Sequence, residues 1–125
     1  MRLGVIGAVV LGVVAAGCAS SGSQPSADRE MRAGVKAAAR EYWQEAHFRF
    51  QRASELDPTS IKIQNNLAVS LEALGRYEEA LEVYKLAVEK APSNAVLKRN
   101  YARFAEFYAS LARGVKPKEG GDAKP

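Results

Sequence analysis

An all-α fold of stacked helical hairpins is predicted by three observations on this 125-residue chain. First, its middle recurs 34 residues later: Ala46 as Ala80, Phe50 as Tyr84, Ala53 as Ala87, Glu55 as Glu89 and Pro58 as Pro92. Trp43 is answered by Tyr77, Glu45 by Glu79, Asn66 by Asn100 and Ala68 by Ala102. A fixed period in this range marks an array in which each unit rests on its neighbours, not a single closed core. Second, apolar residues recur at helical spacing, and no stretch alternates apolar and polar over the length of a strand. Third, the helix stops keep the same step: Asp57-Pro58 and Ala91-Pro92 each place a residue without an amide hydrogen where a helix must end. Arrays of this kind usually present a surface for holding a partner.

Five helices are expected, over Arg29–Arg40, Tyr42–Leu56, Ser60–Leu74, Tyr77–Lys90 and Asn94–Arg113. Between the first two, Glu41 stands where Gly75 stands one period later, so that turn is expected to be tight or partly helical. The second helix ends at Pro58, and Ser60 can cap the third. Gly75 opens the turn to the fourth, where a left-handed backbone is accessible to glycine without steric cost. Asn94 can cap the fifth after Pro92 has stopped the fourth. The fifth helix bears Leu97, Tyr101, Phe104, Ala105, Phe107, Tyr108, Leu111 and Ala112, a span of roughly 160° against the ~100° one packed face needs. Its opposite face carries Arg99, Arg103, Glu106, Ser110 and Arg113. Either this is a long capping helix leaning fully over the fourth, or Phe104, Phe107 and Leu111 stay partly exposed for a dimer or another partner.

Residues 61–94 read IKIQNNLAVSLEALGRYEEALEVYKLAVEKAPSN. With Leu67, Ala68, Leu71, Gly75, Tyr77, Ala80, Tyr84, Ala87 and Pro92 in their places, the segment resembles a tetratricopeptide repeat. The resemblance implies that Ala68 and Ala80 are small where the two helices of a repeat cross, and that Tyr84 and Ala87 seat the next repeat. The departure is Gln64, where the family prefers a large aromatic. The preceding unit matches best in its second helix, EYWQEAHFRFQRASELDP, while its first supplies Gly34 at the small position and alanines where larger residues are usual. The expected architecture is therefore a tetratricopeptide-like α-α hairpin superhelix of about two repeats plus a capping helix, near the lower limit for a stacked array.

The ends differ in kind from this core. After Met1-Arg2, Leu3 to Ala16 is an unbroken run of aliphatic residues and glycines, 14 residues long. That is shorter than the roughly 20 needed to span a bilayer and suits a secretory signal peptide. The sequence Ala15-Ala16-Gly17-Cys18 resembles the lipobox of bacterial lipoproteins, with Ala15 where leucine is usual, and Cys18 is the chain's only cysteine. The resemblance implies cleavage after Gly17 and lipidation (diacylglyceryl, then palmitate or another acyl chain) at Cys18. The divisions expected are residues 1–17 as signal peptide, 18–28 as lipidated cysteine and flexible tether, 29–113 as helical domain, and 114–125 as a disordered tail. Residue 19 is alanine, not the aspartate associated with inner-membrane retention. The placement expected is thus a bacterial cell envelope, lipid-anchored, at the outer membrane facing the periplasm.

Catalytic chemistry is not expected. His47 is the single histidine, the carboxylate pairs Glu78/Glu79 and Glu41/Glu45 lie on helix surfaces, and neither a phosphate loop nor a metal-ligand cluster is present in the sequence. No metal or cofactor is implied. The formal charge of +4 is spread with alternating sign and without interleaved aromatics, which argues against nucleic acid as a partner.

By register with the family, ligands would lie on the face lined by the first helix of each repeat: Met31, Val35, Ala38, Lys62, Asn65, Val69, Glu72, Arg99 and Arg103. Of the positions with which some family members grip a peptide carboxylate, only Asn66 matches; Met31, Val35 and Val96 replace polar members, and Asn100 stands for an arginine. A mixed groove, apolar at the first repeat and basic near Arg99 and Arg103, suits an extended peptide or a helix. The function expected is a membrane-anchored lipoprotein whose small repeat module serves as adaptor or scaffold. The alternatives are a pilotin-like assembly factor for a pilus or secretion machine, and a structural protein that self-associates as a homodimer through its last helix.

Overall fold

The computed structural model of the chain describes residues 25–114. Among them all regular structure is helical: α1 Ala27–Ala38, α2 Trp43–Leu56, α3 Ile61–Ala73, α4 Tyr77–Lys90 and α5 Ala95–Ala112. α1 and α2 form one hairpin and α3 and α4 a second; α2 also packs on α3, and α4 on α5. α1 touches α3, and α3 touches α5, so the first helices of successive units lie side by side with α2 and α4 wedged between neighbours. The array expected from the 34-residue period is the array found.

The helix starts follow their capping chemistry. Ser60 Oγ accepts from the Ile63 amide at 3.4 Å and Asn94 Oδ1 from the Leu97 amide at 3.0 Å. Ser26 Oγ does the same for the Arg29 amide at 3.3 Å, so α1 begins at Ala27 instead of Arg29, inside the segment expected as tether. The reason is local: a serine followed by Asp28 and Glu30 is a good helix start, because carboxylates there oppose the positive end of the helix dipole.

The two hairpin turns are the same turn. Gly75 has φ 74° and Glu41 has φ 61°. In the second hairpin the Arg76 amide donates to the Leu71 carbonyl at 2.9 Å and the Gly75 amide to Glu72 at 3.0 Å. In the first, Tyr42 donates to Ala37 at 3.0 Å and Glu41 to Ala38 at 2.9 Å, each partner 34 residues earlier. This is the six-to-one closure of a helix end, which requires a left-handed residue. Glu41 therefore accepts a conformation that costs a residue with a Cβ about 1–2 kcal/mol, and of the two turns expected, tight or partly helical, the tight one is found, with a left-handed residue at its centre.

Two cores share a boundary. Ala37, Ala38, Ala46 and Phe50 fill the first hairpin, while Ala68, Val69, Leu71, Ala80, Tyr84, Ala87, Leu97 and Phe104 fill the second and its junction with α5. Trp43 and Leu67 pack against both, which makes the hairpins one continuous stack. Gly34 is where the first hairpin closes most tightly: a Cβ on it would stand 2.5 Å from Phe50 Cε1 and 2.7 Å from Cδ1. In the second hairpin the corresponding pair is Ala68 and Tyr84, both fully buried. Gln64 replaces the family's aromatic contact with polar ones, donating to Ser54 Oγ at 2.8 Å and to the Pro58 carbonyl at 3.3 Å, so it pins the α2–α3 connection.

α5 behaves as a capping helix. Phe104 is fully buried against Tyr84 and Tyr77, with ring centroids 5.4 and 6.4 Å away, and Phe107 meets Tyr77 edge-on at 5.2 Å. Of the three residues named for a dimer or another partner, Phe104 is fully buried, Phe107 half-buried and Leu111 exposed.

Candidate partner-binding site

The inner face lined by α1, α3 and α5 does not present the expected residues as one continuous groove. Met31 and Val35 are half-buried and pack into the first hairpin's core beside Ala37 and Ala38. Val69 belongs to the second core and is 2% exposed. Glu72 and Arg103 reach each other across α3 and α5 through two short bonds of 2.6 and 2.9 Å, and the Tyr84 hydroxyl donates to the same carboxylate at 3.2 Å. A paired arginine offers a ligand little net charge, so the expected basic end of the groove retains Arg99, which is exposed, while Arg103 is compensated. Burial, and after it the neighbouring Glu72 carboxylate, pushes the Tyr84 hydroxyl well above the ordinary tyrosine range.

Lys62, Asn65 and Asn66 are brought together. They line an open cavity of about 340 Å³ between the N-terminal turns of α3 and α5, with Ile61, Asn94 and Val96 completing its wall. Inside the wall runs a ladder of amides: Asn100 Nδ2 donates to Asn65 Oδ1 at 3.0 Å, and Asn65 Nδ2 approaches Asn66 Oδ1 at 3.5 Å. Asn66 is fully buried and its Nδ2 has no partner, a hydrogen-bond donor left over beneath the cavity. Lys62 is exposed at the rim, and Val96 is 53% exposed beside it. Sequence register found the three polar residues. It missed Ile61 and Asn94, whose signal was available: Ile61 opens α3 one turn before the buried Asn65, and Asn94 caps the start of α5.

These features define a helical-repeat binding module, with stacked hairpins and a small cavity between successive first helices. The match to known families agrees: tetratricopeptide repeat sequences align with residues 37–109, and the chain belongs to the tetratricopeptide repeat family. Such repeats are protein–protein interaction modules, and the family's members are typically non-enzymatic adaptors. Among curated proteins, the chain is similar to the small glutamine-rich tetratricopeptide repeat-containing protein 2 of Mycosarcoma maydis, 42% identical over 60 residues. That stretch is 48% of this chain and 17% of the relative's length, so the chain spans well under a fifth of that relative. No solved structure matches the chain.

The expected placement in a bacterial cell envelope, at an outer membrane facing the periplasm, is corrected by this comparison. The relative is a eukaryotic repeat protein and not a bacterial envelope lipoprotein. The pilotin-like alternative loses its setting with it. Cys18 and the run before it lie outside the described residues.

Proposed function

We propose that the chain is an adaptor that takes an extended peptide segment of a partner protein into the cavity between α3 and α5. The observation that carries this is the combination on its wall: the exposed Lys62 ammonium, the unpartnered Asn66 amide and the apolar surface of Ile61 and Val96. Donors of this kind suit backbone carbonyls or a carboxylate, and the apolar wall suits one aliphatic or aromatic side chain. The cavity takes only a few residues, so affinity is modest for a single short peptide and rises when the partner is multivalent. Self-association through α5 is the weaker reading, because Phe104 and Phe107 are engaged within the chain.

The test is selection of peptides from a random display library on the wild-type domain, followed by binding to Lys62→Glu and Val96→Asp. Both positions are exposed, so the fold is kept. About tenfold weaker binding is expected for each. Peptides that bind all three proteins alike would show that the cavity is not the site.

A further inference from the structure

His47, the single histidine of the chain, sits half-buried where α2 meets the second hairpin. Its Nε2 lies 2.9 Å from Arg76 Nη1, and its Nδ1 lies 3.2 Å from Ser70 Oγ. The neighbours decide the tautomer. A guanidinium can only donate, so Nε2 accepts and carries no hydrogen. The proton of the neutral ring is then on Nδ1 and is donated to Ser70 Oγ. Ser70 donates its own hydrogen to the Leu67 carbonyl at 2.7 Å. Arg76, His47, Ser70 and Leu67 thus form a one-directional chain of donors joining α2 to α3 and to the α3–α4 turn. Glu79 holds Arg76 from the other side through bonds of 2.8 and 2.6 Å.

We propose that His47 is an acid-released latch between the two hairpins. Protonation at Nε2 converts an acceptor into a donor that faces a guanidinium, which breaks the Arg76 contact and loosens α2 against the second hairpin. Glu79 is the acceptor within reach of that junction, and it is already occupied by Arg76. The position one period after His47 is Leu81, so the next unit does not repeat the device.

The surrounding charges set the direction. Burial is the largest influence and lowers the ring's affinity for a proton; Arg76 lowers it further, while Glu79, on α4, raises it. From α3 the ring meets the hydroxyl of Ser70, which carries no charge. The folded protein therefore binds this proton less readily than the unfolded chain, whose value is near 6.5. The latch is intact above that pH and its contribution is lost as the pH falls below it.

Nuclear magnetic resonance on the whole chain reads this directly, because one histidine gives one imidazole signal. The expected results are the Nδ1–H tautomer at neutral pH, a titration midpoint below 6.5, and a loss of amide-exchange protection in α2 and at the start of α4 on acidification. In His47→Gln, which keeps a donor and an acceptor but does not titrate, that acid-dependent loss should vanish. In Arg76→Gln the midpoint should move up toward its ordinary value. An Nε2–H tautomer, a midpoint at or above 6.5, or an acid response unchanged in His47→Gln would overturn the proposal.

Discussion

Replacing Gly34 by alanine asks whether α1 and α2 are docked as closely as the repeat register requires. The new methyl carbon would stand 2.5, 2.7 and 3.0 Å from three carbons of the Phe50 ring. Favourable carbon contacts lie at about 3.5–4.0 Å, so ring and helix must part by roughly 1 Å. Phe50 is fully buried and has no solvent-side position to retreat into. Overpacking of this kind costs about 1–3 kcal/mol, whereas alanine in a helix interior gains about 1 kcal/mol over glycine. The net expectation is a loss of about 1 kcal/mol, reaching ~2 if α1 is forced to shift. For a domain of this size each kcal/mol lowers Tm by about 4–8 °C. Thermal and urea unfolding followed by circular dichroism measures it, and Phe50→Leu in the same chain should recover part of the loss. A Gly34→Ala protein more stable than wild type would mean that helix propensity acts unopposed. The tight contact with Phe50 would then not exist.

Three further outcomes follow from the turns and the polar contacts. Glu41→Gly should raise stability by up to about 1 kcal/mol, since glycine holds a positive φ without the Cβ clash; Gly75→Ala should lower it by about 1–2 kcal/mol, its Cβ meeting no neighbouring atom. Denaturant midpoints of the pair should move in opposite directions. Arg103→Met leaves Glu72 without its cation. Because the two side chains keep 27% and 14% of their exposure, the full cost of breaking a buried pair is discounted to about 1–2 kcal/mol in chemical unfolding. Tyr84 holds its proton more tightly folded than unfolded, so its contribution to stability is present below pH 10.0 and is lost as the pH climbs above it. Ultraviolet titration of the tyrosines should show an alkaline step that coincides with unfolding, and Tyr84→Phe, which has no hydroxyl to titrate, should lose that step and unfold at higher pH relative to its own neutral-pH stability.

The fold was legible because a repeat states its packing twice. Ala46 with Ala80, Phe50 with Tyr84 and Pro58 with Pro92 each mark one structural role, and agreement between two copies removes most of the ambiguity a single helical pattern carries. The site was legible only in part. Register placed Lys62, Asn65 and Asn66 on the inner face, and there they are. Register said nothing of Glu72 meeting Arg103 or His47 meeting Ser70 and Arg76, because these pairs join different helices at separations unrelated to the period. For α5 the wide apolar span left open whether its aromatics would be covered; Tyr77 and Tyr84 against Phe104, and Tyr77 against Phe107, decide for the capping helix.

The order of residues alone determined the number and order of the helices, the repeat and the family, since these depend on neighbours three, four and 34 places apart along one chain. Tertiary structure decided which inner-face polar groups neutralise one another and which are left over. Glu72 and Arg103 are consumed because α3 and α5 approach within hydrogen-bond reach. Asn66 keeps a free donor because no acceptor lies beside it. A side chain's availability depends on what the rest of the chain brings to its tip, and that is a property of distances in space.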